Sequence, residues 1–394
     1  MIRLTRRNAT WFATVGWLMA SGAPSLHGQR PASRVDVGPG IDTTLADVRQ
    51  IVRLTREYLL HTDTSAWSRG LWSTAHPFDR RWADMTGPLA HFGFPATILG
   101  IFSGAPGDSV YSVRILHSRL DTSGGSELLG AVQRVYAMKA SHTRHGWQLS
   151  NPFARESTHW IRRTHGRITF HYAPAQEPQP ARMERATQFV DSIARLFAVP
   201  SPERLDYIVA ASPAEYLHAI GVDYWMLPSQ AASAIGGHAS TGQGIVYAGD
   251  ARQGEAYFHE LAHAVLARDF GGGILGEGIP TWLGGARGRS TAAMYEVLVQ
   301  YQEANPGATL DALVRGATVD DDPRRDDARR ATGALFVEHV HRKSGEAGLR
   351  ALRGMPANPA DFLAAMRRHL GVAQDPAALE LWWRRAAREA RTGV

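Results

Sequence analysis

A chain of 394 residues with ordinary apolar content and 20% charged residues has a globular composition and is too long for one core of usual size. Its formal charge of +6 falls to +3 without the first 28 residues, which carry Arg3, Arg6 and Arg7 and no acid; that is too small and scattered for a nucleic-acid-binding protein. With no cysteine, disulfides, thiolate metal sites, a thiol nucleophile and a lipidated cysteine anchor are excluded, and any metal must be held by His, Asp or Glu.

Residues 1–28 read as a secretory signal peptide. A basic start precedes a mainly apolar run from Ala9 to Ala23, followed by small and turn-forming residues. The run is too short and interrupted for a comfortable membrane span. An exported protein, periplasmic or extracellular, with no stable membrane span after cleavage, is the expectation.

Next comes an α+β unit, placed at 40–155. The stretch 43–72 holds LADVRQIVRLTREYLL, with apolar residues three and four apart, and predicts a helix. Strand-like runs follow at 96–102, 109–120, 128–140 and 145–151, separated by turns rich in Gly, Asp and Ser. A helix followed by an antiparallel meander resembles, in element order, the curved-sheet folds of the nuclear transport factor 2 (NTF2-like) type. A small-ligand pocket in such a sheet is one conceivable function, but no titratable cluster is evident there in the sequence.

A second unit begins near residue 160, with a core over 160–288 and a helical part over 289–394. Strands are predicted at 167–173, 205–211 and 242–249, and helices at 182–197 and from Ser212. From Arg289 onward the chain is mostly helical, and the Trp382-Trp383 pair reads as helix packing. The run DDDPRRDDARR (320–330) reads as a solvated loop leading into a helix, since Asp320 to Asp322 lack calcium-loop spacing.

The chemistry concentrates in YFHELAHAVL, residues 257–266. Positions i and i+4 share a helix face, so His259 and His263 can reach one cation. Glu260 is rotated about 100° from His259, where a general base for a metal-activated water belongs. The flanking Leu261, Ala262, Ala264, Val265 and Leu266 bury this HExxH helix almost all round, and two histidines and a glutamate there need a partner. A third ligand is required. Asp269 follows six residues after His263, but Leu266 stands where a turn-forming glycine would be needed, so the helix carries Asp269 to another face. Glu277 is the better placed candidate. The glycines at 271–273 end the first helix, and a second helix starting at Glu277, with Pro280 in its first turn, sets the carboxylate opposite the histidines.

HELAHAVL, a glycine-containing turn and LGEGIPTWLGG together resemble the gluzincin metallopeptidases, specifically the compact peptidase-MA-like group related to the thermolysin and M1 aminopeptidase folds. The resemblance spans about residues 165–390, taking in IGGHASTGQGIVYAG (235–249) as an edge-strand region and the helix at 331–354. It implies one zinc per chain held by His259, His263 and Glu277, with Glu260 as base and a peptide or protein as substrate. Four departures stand out. The spacing before Glu277 is short, and Pro280 replaces a usual alanine. Residues 235–249 carry no acid, which favours endopeptidase over aminopeptidase action. A tyrosine usual before the downstream helix is missing, with Arg329-Arg330 in its neighbourhood. Arg330, His339 and His341 are the alternatives for the oxyanion donor that acyl transfer requires. His238 in the edge-strand segment is a further substrate contact to consider. The rival reading is an exported binding protein whose peptidase-like domain is inactive.

Overall fold

The computed structural model describes residues 35–60, 70–76, 78–79, 95–103, 109–121, 129–225, 237–240, 244–250, 252–270, 273–316, 323–356, 358–373 and 375–392. Residues 1–28, where a signal peptide is expected, Asp320 to Asp322 and the glycines at 271 and 272 lie outside them. None of the described helices is long and apolar enough to cross a membrane. The chain is a mixed α+β protein whose contacts divide it into two compact units.

The first unit carries β1 (Val35–Val37), α1 (Ala46–Leu60), β2 (Ala96–Ser103), β3 (Val110–Asp121), β4 (Leu129–Thr143), β5 (Gly146–Ser150) and the short α2 (Phe153–Glu156). Strands β1 to β5 pair in sequence order, β1 parallel to β2 and the rest antiparallel. The apolar side chains of α1, including Val48, Ile51, Val52, Leu59 and Tyr58, are buried, as the helical spacing requires. The helix coincides with the run LADVRQIVRLTREYLL, and residues 61–69 of the predicted stretch lie outside the described residues. Trp72, at the end of the predicted helical stretch, instead makes a β-bridge to Leu149. A larger difference is that the chain returns to this unit. The segment starting at Ala214 belongs to it and carries β9 (Val222–Trp225), which pairs with the long strand β4. Local pattern assigned this segment to the second unit, because only a distant strand completes its backbone hydrogen bonds.

The second unit opens with β6 (Ile161–His165), absent from the sequence reading because its residues are nearly all exposed. It pairs with β7 (Ile168–Tyr172), which leads through α3 (Pro180–Phe197) to β8 (Leu205–Val209) and then α4 (Pro213–Ala219), at whose start the chain crosses to the first unit. After β9 come β10 (Gly237–Ser240) and β11 (Ile245–Ala248), giving a sheet of order β10-β11-β8-β7-β6. The inner strands β11, β8 and β7 are parallel and nearly all buried, with His171 and Asp206 paired at 2.9 Å between β7 and β8, while both edge strands run antiparallel.

Helices complete the unit: α5 (Phe258–Phe270), α6 (Leu275–Gly284), α7 (Thr291–Ala304), α8 (Leu310–Arg315), α9 (Pro323–Ala351), α10 (Pro359–Leu370) and α11 (Pro376–Thr392). One continuous core joins sheet and helices, from Phe170 and Tyr207 through Leu261 and Leu266 to Phe336 and Trp383. The tryptophan pair is packing: Trp382 stacks on Phe336 with centroids 5.3 Å apart, and Trp383 donates to Thr332 Oγ1 at 3.1 Å.

Helix α6 begins at Leu275 rather than Glu277, so Pro280 sits inside the helix, not in its first turn. Proline there leaves the carbonyl of Gly276 without its helical donor. Helices α6 and α9 meet backbone to backbone: a Cβ on Gly278 would lie 2.5 Å from Gly333 Cα. Glycine at both positions is therefore a requirement of the crossing. Gly278→Ala should force the helices apart and reduce stability by about 1–3 kcal/mol, read as a lower denaturant midpoint.

Candidate metal centre

Helix α5 presents His259 and His263 on one face, and α6 brings Glu277 opposite them. His259 Nε2 and His263 Nε2 are 3.2 Å apart. Glu277 Oε2 lies 3.3 Å from the first and 3.4 Å from the second. Among the described residues, these three form the cluster able to hold a metal ion. The spacing has a direct reading. Tetrahedral ligands at zinc distances of about 2.0–2.1 Å stand about 3.3–3.4 Å from one another, the edge of the tetrahedron. The donor set, two imidazoles and a carboxylate, is one that zinc takes with a fourth position left open. The residues therefore fit a divalent ion of this kind. Asp269 is elsewhere, paired with Arg353.

The local backbone explains the placement. Gly284 has no room for a side chain, since a Cβ would lie 2.5 Å from the backbone nitrogen of His259. Gly285 has φ +71°, and a Cβ there would lie 1.9 Å from the carbonyl oxygen of Arg289. That conformation turns the Gly285 carbonyl onto His259 Nδ1 at 2.6 Å. A carbonyl only accepts, so Nδ1 carries the proton and Nε2 presents its lone pair toward the cluster. The turn before α5 is held as tightly. Tyr207 donates its hydroxyl hydrogen to Gly254 O at 2.7 Å and accepts from Tyr257 N at 3.1 Å. The buried Glu255 accepts from Tyr172 and from Gln179 N on one oxygen.

Electrostatics favour the charged forms of Glu277 and His263. Burial disfavours the charge on Glu277, but the Arg330 guanidinium and the imidazoles outweigh it and hold its carboxyl well below the usual range. Burial likewise opposes a proton on His263, and the Glu277 carboxylate overcomes it, raising the pKa. Glu260 is buried, within electrostatic reach of His263 and Tyr257.

The remaining sequence candidates separate. Arg330 ion-pairs with Glu277 and so stands at the cluster. His339 packs edge-on against Trp382 and His341 against Trp282, so neither joins the triad. They sit about 13 and 16 Å along α9 from Arg330 at 1.5 Å per residue. His238 lies on β10 opposite Tyr247. Sequence reasoning passed over Tyr257. Its buried ring has its centroid 6.5 Å from that of His259, and it fills space that a side chain at Gly237 would take. The signal was present, because YFHELAH places an aromatic two residues before the first histidine.

The first unit also gathers polar groups that the sequence did not reveal. Buried His117 and Arg134 are cross-strand neighbours on β3 and β4, and His117 Nε2 lies 3.3 Å from the hydroxyl of Tyr136. Burial raises the Tyr136 pKa and lowers that of Arg134. These residues alternate along strands whose pattern alone reads as ordinary sheet.

No protein-family model matches this sequence, and comparison with curated proteins yields no match.

Removing the Tyr207 hydroxyl leaves a buried carbonyl and a buried N–H unpaired. Tyr207→Phe is expected to destabilise the chain by about 1–3 kcal/mol in urea titrations, independently of any metal.

Proposed function

We propose that the chain is an exported zinc-dependent peptidase, with a gluzincin-like catalytic unit carried behind an NTF2-like first unit. The observation that supports this reading most is the mutual spacing of His259 Nε2, His263 Nε2 and Glu277 Oε2 at 3.2–3.4 Å, all three buried or nearly so. The donor set of two imidazoles and a carboxylate, and its spacing, match a tetrahedral ion.

A zinc ion held by these residues would act as a Lewis acid on the scissile carbonyl and lower the pKa of its bound water to about 7. Glu260, next to His259 on the same helix, accepts the proton of the attacking water and delivers it to the leaving amine. The Gly285 carbonyl keeps His259 in the tautomer that ligation needs. Among the described residues, strand β10 ends the sheet order and packs against α5, an edge with which an extended peptide would pair through backbone groups. His238 on that strand is then a substrate contact. The edge strand carries no acid to hold a substrate amino terminus, in keeping with endopeptidase action.

The decisive experiment is metal analysis of the purified chain beside activity on a peptide library. The wild type should hold about one zinc per chain, and His263→Ala should lose it. Glu260→Gln should keep the zinc and lose about a hundredfold to ten-thousandfold in turnover. Zinc bound in full with no cleavage of any peptide by the wild type would instead favour the binding-protein reading.

A further inference from the structure

Glu277 is tied to a chain of alternating charges that runs out of the cluster. Arg330 on α9 touches Glu277 Oε2 through Nη1 and reaches Asp326 Oδ2 through Nε at 3.0 Å. Asp326 in turn receives Arg287 Nη2 at 2.6 Å. Asp327 pairs with Arg287 at 2.9 Å and with Arg289 at 2.7 Å, and acts on Arg330 only through longer-range attraction. Burial works against these charges. Even so, Asp326 is held below the usual carboxylate range by Arg330 and Arg287, and Arg330 is pushed up by Glu277 and Asp326.

The turn that supplies Arg287 is strained. Residues 286–289 form a two-residue hairpin with reciprocal hydrogen bonds between Ala286 and Arg289 of 3.0 and 2.9 Å. Both central residues have positive φ, +51° at Arg287 and +74° at Gly288. Asn or Gly is the usual occupant of the first of these positions, and arginine there is disfavoured. A strained residue persists where its side chain is held, and here the guanidinium bridges two carboxylates.

We propose that Arg330 and Asp326 are a positioning pair for the metal ligand Glu277, and that the pair, rather than Glu277 alone, sets the affinity of the site for its ion. The inference rests on the metal reading above. A free arginine beside Glu277 would compete with the cation for the carboxylate. Asp326 cancels that charge and fixes the guanidinium along its Nε edge, so that Nη1 orients Glu277 Oε2 toward the histidines. Arg330 is then a positioning residue, with Nε serving Asp326 and Nη1 serving Glu277. Outer partners of metal ligands typically change affinity ten- to hundredfold when altered.

The test is competition of the full chain with a zinc chelator of known affinity, with the thermal midpoint of the metal-free chain measured in parallel. Arg330→Lys keeps the charge but lacks the planar fork that serves Glu277 and Asp326 together. It should weaken zinc binding about tenfold or more, as should the isosteric Asp326→Asn. Asp327→Asn removes the same charge from the adjacent position and should stay within about threefold of wild type. Wild-type zinc affinity in both Arg330→Lys and Asp326→Asn would overturn the pairing. An equal loss in Asp327→Asn would overturn it too, by tracing the effect to charge at a distance. A wild-type chain that binds no zinc would instead overturn the metal reading itself, and the inference with it.

Discussion

Three polar atoms within 3.4 Å of one another, at the meeting of two buried helices, set the terms for the rest of the second unit. Helix α5 supplies two imidazoles by its own periodicity. Helix α6 must bring a carboxylate to the same point, and it does so by close backbone approach. Gly278 against Gly333 and Gly284 against the start of α5 remove the side chains that would hold the helices apart. Gly278, Gly284 and Gly285 of LGEGIPTWLGG are thus geometric requirements of the cluster. Gly285 adds a hydrogen bond to His259, which no residue with a Cβ would supply from that backbone conformation.

Burial of so many polar groups needs compensation, and the unit compensates locally. Glu277 leans on Arg330, Arg330 on Asp326, and Asp326 on Arg287, so that no charge of the series stands alone. Such networks gain little as isolated stability devices, because desolvation offsets the attraction. Their consequence is orientation: Arg330 and both imidazoles converge on one oxygen of Glu277, Oε2, and so fix where it sits. The same logic holds at the start of α5, where Tyr207 satisfies a backbone donor and acceptor in one turn.

The first unit follows different rules. Helix α1 packs on β5, β1 and β2, and its Tyr58 lies within electrostatic reach of the buried Arg134 and Tyr136 on β4, where His117 of β3 joins them. The strand β9, contributed from far along the chain, pairs with β4 at the same stretch, opposite Arg134 and Tyr136.

Much of this protein follows from local sequence pattern. The strands β2 to β5, β7, β8 and β11 and the helices α1, α3 and α5 lie close to where alternation and 3.6-residue spacing put them, because period and burial are properties of neighbouring residues. His259, His263 and Glu260 were legible for the same reason: their relation is fixed within one helical turn. The choice of Glu277 over Asp269 followed from a missing glycine at 266, again a local signal. What lay beyond local pattern was everything decided across distance. The pairing of β9 with β4 joins residues about 90 apart, and the association of His117 with Arg134 is made only by the register of two strands, while β6 escaped because its exposed residues carry no alternation. The series Arg330, Asp326 and Arg287 joins a turn to a helix start about 40 residues on, and its members read in sequence as a mixed-charge surface run. A sequence states which residues are charged. Only the crossing of the helices decides which of those charges face one another.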